Sequence, residues 1–179
     1  KHSVETAERC YQKAVSLDPC EAIAGPRLAE ILLQSGREQL AVELWRRATH
    51  KSNMAWWAWK GLAGYQHKCQ SYLTAIVSYQ TALRSQPQDH ELWNGLADSY
   101  LKHGKYIAAL KAFKRVLKLK PNAFLAHLHI AGIYCVLGSY EASVNKFREC
   151  VKRQPACVPA VFGLAEALYS LAHQEYKSG

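Results

Sequence analysis

Six cysteines, eight histidines and five tryptophans are the residues of this 179-residue chain whose chemistry could be more than structural. Zinc needs four convergent Cys or His ligands at short spacings. Cys10, Cys20, Cys69, Cys135, Cys150 and Cys157 form no CxxC pair, and the nearest approaches to ligand spacing are His67–Cys69 and His127–His129. No metal site is expected from them. The chain is too long and too sparse in cysteine for a disulfide framework, so the thiols read as reduced, as in an intracellular protein. There is no HExxH, no glycine-rich phosphate loop and no nucleophile elbow. The expectation is a non-enzyme with no cofactor and no small-molecule substrate. The stretch "MAWWAWKGLAG" at 54–64 places Trp56, Trp57 and Trp59 within four positions. That run could be an aromatic cage, a platform for stacked bases, or core, and only a larger pattern decides which.

Composition narrows the classes. Apolar residues make up 49% and charged residues 21%, which argues against disorder. No apolar run approaches the ~18 residues of a membrane-spanning helix. The net charge of +9 favours acidic partners, nucleic acid among them. The chain begins at Lys1 rather than Met and reads as an excerpt.

The larger pattern is a period of 34 residues. Pro19, Pro87, Pro121 and Pro155 keep it, with Asn53 in the missing step. Leu28, Leu62, Leu96, Ile130 and Leu164 keep it, each followed by alanine. So do the aromatics Tyr11, Trp45, Tyr79, Phe113 and Phe147, and the small residues Ala7, Ala41, Ala75, Ala109 and Ser143. Gly36, Gly104 and Gly138 are in register, with Gln70 in the vacant slot. The best-formed unit begins at His90. Trp93, Leu96, Ala97 and Tyr100 share one helical face, and Ala109, Leu110, Phe113, Val116 and Leu117 share a second. Gly104 suits a left-handed helix end. Asp89 and Asn122 are candidate N-caps. Each unit is therefore two antiparallel helices.

Trp93, Leu96, Ala97, Tyr100, Gly104, Ala109, Phe113 and Pro121, at these spacings, closely resemble the tetratricopeptide repeat (TPR). The resemblance covers essentially the whole chain. It implies an all-α TPR solenoid of stacked antiparallel helix pairs in a right-handed superhelix. Complete units are expected at 22–55, 56–89, 90–123 and 124–157. Residues 1–21 would be the second helix of a partial unit, and 158–179 the first helix of a further unit or a capping helix. One repeat cannot bury its own faces, so stacked neighbours supply the core.

The resemblance assigns roles by position. Trp59 takes the inter-helix position of Trp93 and is expected in the core, while Trp56 plugs the junction between units. First helices of such repeats line a concave groove. Its candidates are Trp57, Lys60, Gly64, His67 and Lys68, then Glu91, Asn94, Asp98, Leu101 and Lys102, then Leu125, Leu128, Gly132, Cys135 and Val136. The alternative for Trp57 is packing on the preceding unit. The last set is apolar and is read as a protein contact, or as a surface covered by the solenoid itself. The paired Lys and Asn of a chaperone-type carboxylate clamp are missing, because Gly64 follows Lys60 and Asp98 follows Asn94. Lys111, Lys114, Arg115 and Lys118 lie between the core positions of their helix. They form a basic face that could track phosphates or simply be solvated.

A narrower resemblance rests on "WAWKGLAGYQ", "LWNGLADSYLKHGKYIAALKAFKRVLKLKP" and "CVPAVFGLAEAL". Their order is similar to that in the family of large TPR scaffold subunits of superkiller (Ski) complexes. That resemblance implies a scaffold holding a Ski RNA helicase subunit and a WD-repeat subunit for exosome-mediated 3′-to-5′ RNA decay. It implies a cytoplasmic protein, extending to the nucleus, that meets RNA only indirectly and touches no membrane. The alternatives are a TPR adaptor of another assembly and an RNA-binding solenoid using the basic face.

Overall fold

In the computed structural model, which describes residues 2–178, the chain is all-helical, with no strand among the described residues. It divides into two compact units, Lys1–His103 and Gly104–Gly179. The division falls inside the segment 90–123.

The first unit holds α1 (His2–Leu17), α2 (Ala24–Gln34), α3 (Glu38–Lys51), α4 (Trp56–Lys68), α5 (Tyr72–Ser85) and α6 (His90–Lys102). Each helix packs on the next in sequence. The in-phase alanines explain how closely they approach: Ala41, Ala63, Ala75, Ala82 and Ala97 are fully buried. Large aromatics fill the remaining space. Trp45 lies against Gly61, and Tyr79 lies against Gly95, so closely that a Cβ at either glycine would overlap the ring. Gly61 and Gly95 lie 34 residues apart and form a further series on the same period.

The second unit holds α7 (Tyr106–Leu119), α8 (Phe124–Val136), α9 (Tyr140–Arg153) and α10 (Val158–Ser178). Phe113, Ile133, Val144, Phe147 and Cys150 form its interior. Phe147 repeats the earlier arrangement against Gly163. Phe113 does not, because the glycine series is interrupted by His129. The two rings stack instead, with centroids 5.0 Å apart and planes 18° from parallel. Ser143 replaces an alanine of the small-residue series, and its hydroxyl donates to the Ala131 carbonyl at 2.8 Å. A buried polar group is tolerable only when bonded in this way.

Helix ends follow the sequence in most places. Gly36, Gly104 and Gly138 adopt φ of 74°, 77° and 74°. Gln70, in the vacant slot, takes φ 60°, a conformation that costs a side-chain-bearing residue roughly 1–2 kcal/mol. Asp89 caps α6, its carboxylate accepting from the Glu91 and Leu92 amides at 2.8 and 3.3 Å. Asn122 does not cap α8. The capping position is Ala123, and no side chain caps that helix.

Trp59 differs in degree from its core expectation. It is half-buried, packed against the interior clusters on either side, and its indole Nε1 is buried without a hydrogen-bond partner. The equivalent Trp93 donates to the Pro87 carbonyl at 2.9 Å, and His127, a further repeat on, meets the Pro121 carbonyl through Nε2 at 3.0 Å. Asn53 stands where Trp59 would find that proline.

Candidate interaction surfaces

In Lys1–His103 the first-helix candidates lie on α4 and α6. Trp57 is not among the open ones. It is 4% exposed, its ring covers Gly25, and its indole N–H donates to the Pro19 carbonyl at 3.0 Å. The packing alternative holds, and Trp57 is withdrawn from the groove.

Lys60 is half-buried. Its ammonium reaches Asp89 Oδ2 at 3.0 Å and Glu91 Oε2 at 2.6 Å. Burial works against the charged lysine, but the hydrogen bonds to Glu91 and Asp89 outweigh it and raise its pKa above the ordinary value. Burial likewise pushes the Asp89 carboxyl up. The Lys60 hydrogen bond and the two backbone amides prevail and hold it below the usual carboxylate range. Asp98 is engaged as well: His67 Nε2 lies 3.0 Å from its Oδ2, while His67 Nδ1 lies 3.0 Å from Ser99 Oγ. The Ser99 hydroxyl donates to the Gly95 carbonyl at 2.7 Å. Asn94 is exposed. Lys60 and His67 on α4 are thus joined to Glu91, Asp98 and Ser99 on α6, while Lys68 pairs back to Glu38 on α3.

In Gly104–Gly179 the same register is apolar, open at Leu125 and Val136 and half-buried at Leu128, Gly132 and Cys135. Leu125 and Val136 are 62% and 60% exposed at the two ends of α8. Leu128, between them, is half-buried against the interior cluster of Ala131, Val144 and Phe147. On α10, Phe162 and Tyr169 stand 65% and 71% exposed. They lie one repeat after Leu128 and Cys135, so carrying the groove register 34 residues further would have named them.

The basic face lies on α7 of this unit. Lys111, Lys114 and Lys118 are exposed and Arg115 is half-buried. The Lys114 ammonium sits 5.7 Å from the Tyr134 ring centre, a cation–π distance. Among the described residues no three His, Cys, Asp or Glu side chains are grouped to hold a metal ion, and the six thiols are unpaired. No described helix is long and apolar enough to cross a membrane.

Solved structures with this architecture include YrrB, described as a TPR protein with an unusual peptide-binding site. It is 19% identical, has a TM-score of 0.79, and the match covers 92% of this chain and 84% of that one. MamA is 19% identical, with a TM-score of 0.69 over 87% of this chain and 85% of its own. These likenesses show the TPR fold. Among curated proteins, superkiller complex protein 3 of Mus musculus is 31% identical over 85 residues, and that of Homo sapiens is 30% identical over 85 residues. Each match takes in 46% of this chain and 5% of the relative, so the chain spans only a small part of those proteins. The resemblance to the superkiller TPR subunit is therefore real and local. Residues 24–128 match the family model of the tetratricopeptide repeat protein 21 C-terminal ARM domain, and with more than half of its length inside that match the chain belongs to this family.

Proposed function

We propose that this chain is a non-catalytic scaffold segment that holds a protein partner on the first-helix face of residues 104–179. The observation that carries the reading is the exposure of Leu125 and Val136, with Leu128 between them. Two exposed apolar side chains on one helix face, bridged by a half-buried leucine, offer a surface that a partner can cover. The peptide-binding site attributed to YrrB supports a peptide segment as the occupant.

The local likeness to superkiller complex protein 3 supports a finer reading. On it, the segment belongs to a TPR arm that organises an RNA helicase and a WD-repeat subunit, in the cytoplasm and extending to the nucleus, for exosome-mediated 3′-to-5′ RNA decay. Co-expression with the Ski helicase subunit, followed by pull-down, tests it. Retention by the native chain through a moderate-salt wash, and its loss with Leu125→Asp and Val136→Asp together, supports both levels. Failure of the native chain removes the helicase assignment and leaves an adaptor of another assembly. Retention by the variant moves the contact elsewhere on the chain.

A second reading has an observation of its own. Lys111, Lys114 and Lys118 are exposed on one face of α7 and could follow a phosphate backbone. RNA affinity would then fall steeply with salt and be abolished by Lys111→Glu with Lys118→Glu. Binding unchanged by that pair removes the idea.

A further inference from the structure

The helices α1 and α3 both pack on α2, and a cavity of about 580 Å³ opens between them. Val15, Leu28, Leu32, Leu44 and Ala48 line it as buried or half-buried side chains, and Leu40, 48% exposed, forms its open wall. The volume lies within the roughly 300–1,000 Å³ usual for binding sites. Its span along α3, from Leu40 to Lys51, is roughly 16 Å at the rise of a helix, or three turns.

The repeat does not require this apolar lining. One period on, Val15, Leu32, Leu40 and Leu44 become Thr49, Gln66, Thr74 and Ser78. There Ser78 donates to Gln66 Oε1 at 2.8 Å, and the two threonine hydroxyls donate to the Arg46 and Ser71 carbonyls. The corresponding place is polar and satisfied internally. The apolar concavity belongs to the α1–α3 gap and has no such internal partners.

Its rim is charged at one end. Arg47, His50 and Lys51 border the cavity from the last turns of α3. Glu43 is the one acidic residue lining it, and it already pairs with Arg47 four residues on. Lys51 and His50 are exposed. Gln12 and Ser16 supply a neutral polar edge from α1.

We propose that the groove between α1 and α3 docks a short amphipathic helix of a protein partner, its apolar residues against Leu32, Leu40 and Leu44 and its acidic flank on Lys51. A helix of about three turns presents anchors at i, i+3 or i+4, and i+7, and Leu40, Leu44 and Ala48 line the groove along α3 at steps of one turn. The basic rim selects an acidic flank and rejects a basic one. This site lies in Lys1–His103, apart from the residues that carry the proposed scaffold contact.

A library of random 16-residue peptides, displayed and selected on the full chain, tests the proposal. Enriched peptides are expected to carry helically spaced apolar residues beside Asp or Glu. Leu40→Glu and, separately, Lys51→Glu should each weaken their binding by about tenfold or more, a loss of about 1.4 kcal/mol or greater. Both side chains are exposed, and unchanged helical circular dichroism would show that the fold survives. No enrichment, enrichment of basic or extended sequences, or binding indifferent to both substitutions overturns the proposal. Saturable binding of dodecanoate without any enriched helix would assign the cavity to a small amphiphile and also overturn it.

Discussion

The first-helix face of Lys1–His103 and that of Gly104–Gly179 are built on one register and carry opposite chemistry. In the first unit Lys60 is bonded to Asp89 and Glu91, and His67 to Asp98 and Ser99. Those side chains hold neighbouring repeats to each other. In the second unit the corresponding stretch is Leu125, Leu128 and Val136, largely open to water. A TPR position is therefore a place and not a role. Polar groups that find partners one repeat away become cross-braces, and apolar ones left uncovered become a surface for something else. The fold sets the geometry, and only the side chains at these positions set the function.

The comparison can be broken most severely at its core. Phe113 is fully buried, so Phe113→Ala should cost about 3–5 kcal/mol, read as a fall in the denaturation midpoint. A midpoint close to that of the native chain would refute the register on which the two faces are equated. Next comes the contrast between glycines. Gly95→Ala drives a Cβ into the Tyr79 ring and should destabilise by roughly 1–3 kcal/mol through overpacking. Gly132→Ala meets nothing within 4 Å and should gain up to about 1 kcal/mol from helix propensity alone. Equal effects from the two would mean that the close aromatic–glycine approach is absent.

The brace itself should be weaker and visible in pH. Asp89 is held below its ordinary pKa, so its contribution is present in full above the ordinary carboxylate value and is lost as pH falls through the lower, folded value. Lys60 is held above its ordinary pKa, so its share is present below that value and lost as pH rises through the higher, folded one. Between those limits the pair is intact. Lys60→Met should cost about 0.5–1 kcal/mol at neutral pH, given its partial exposure, and should flatten the acid limb of the stability curve. An acid limb identical in the variant would show that the brace contributes nothing. An effect of the same small size, opposite in sign, is expected at Gln70, where glycine suits the positive φ. Gln70→Gly should stabilise by about 0.5–1 kcal/mol, and a loss would show that its side chain matters more than its backbone.

What was legible in the sequence divides along physical lines. Helix spacing and aromatic burial were readable because they depend on period alone, as Phe113, Val116 and Gly104 illustrate. The cap at Asn122 was misplaced because capping depends on backbone geometry at a single residue, and that residue is Ala123. Trp57 was ambiguous because its position looks outward in the motif, while Gly25 leaves room for its ring on α2, the first helix of the preceding repeat. The pairings of Lys60 with Asp89 and Glu91, and of Asp98 with His67, were hidden for a different reason. Each partner sits about one repeat away, as do Arg37 with Glu8 at 29 residues and Lys68 with Glu38 at 30. Opposite charges at slightly less than one period were the available signal. The openness of Leu125 and Val136 needed the fold, since an apolar residue in a sequence looks the same whether it is covered or not.

All five tryptophans, Trp45, Trp56, Trp57, Trp59 and Trp93, lie in Lys1–His103 and none in Gly104–Gly179. Indole emission from this chain is therefore a one-sided signal. It follows the environment of the first unit alone, while far-ultraviolet ellipticity sums the helices of both. Superimposing the two melting curves measures cooperativity across the chain without a label: coincident curves mean one transition, and separated curves mean that the two units melt in turn.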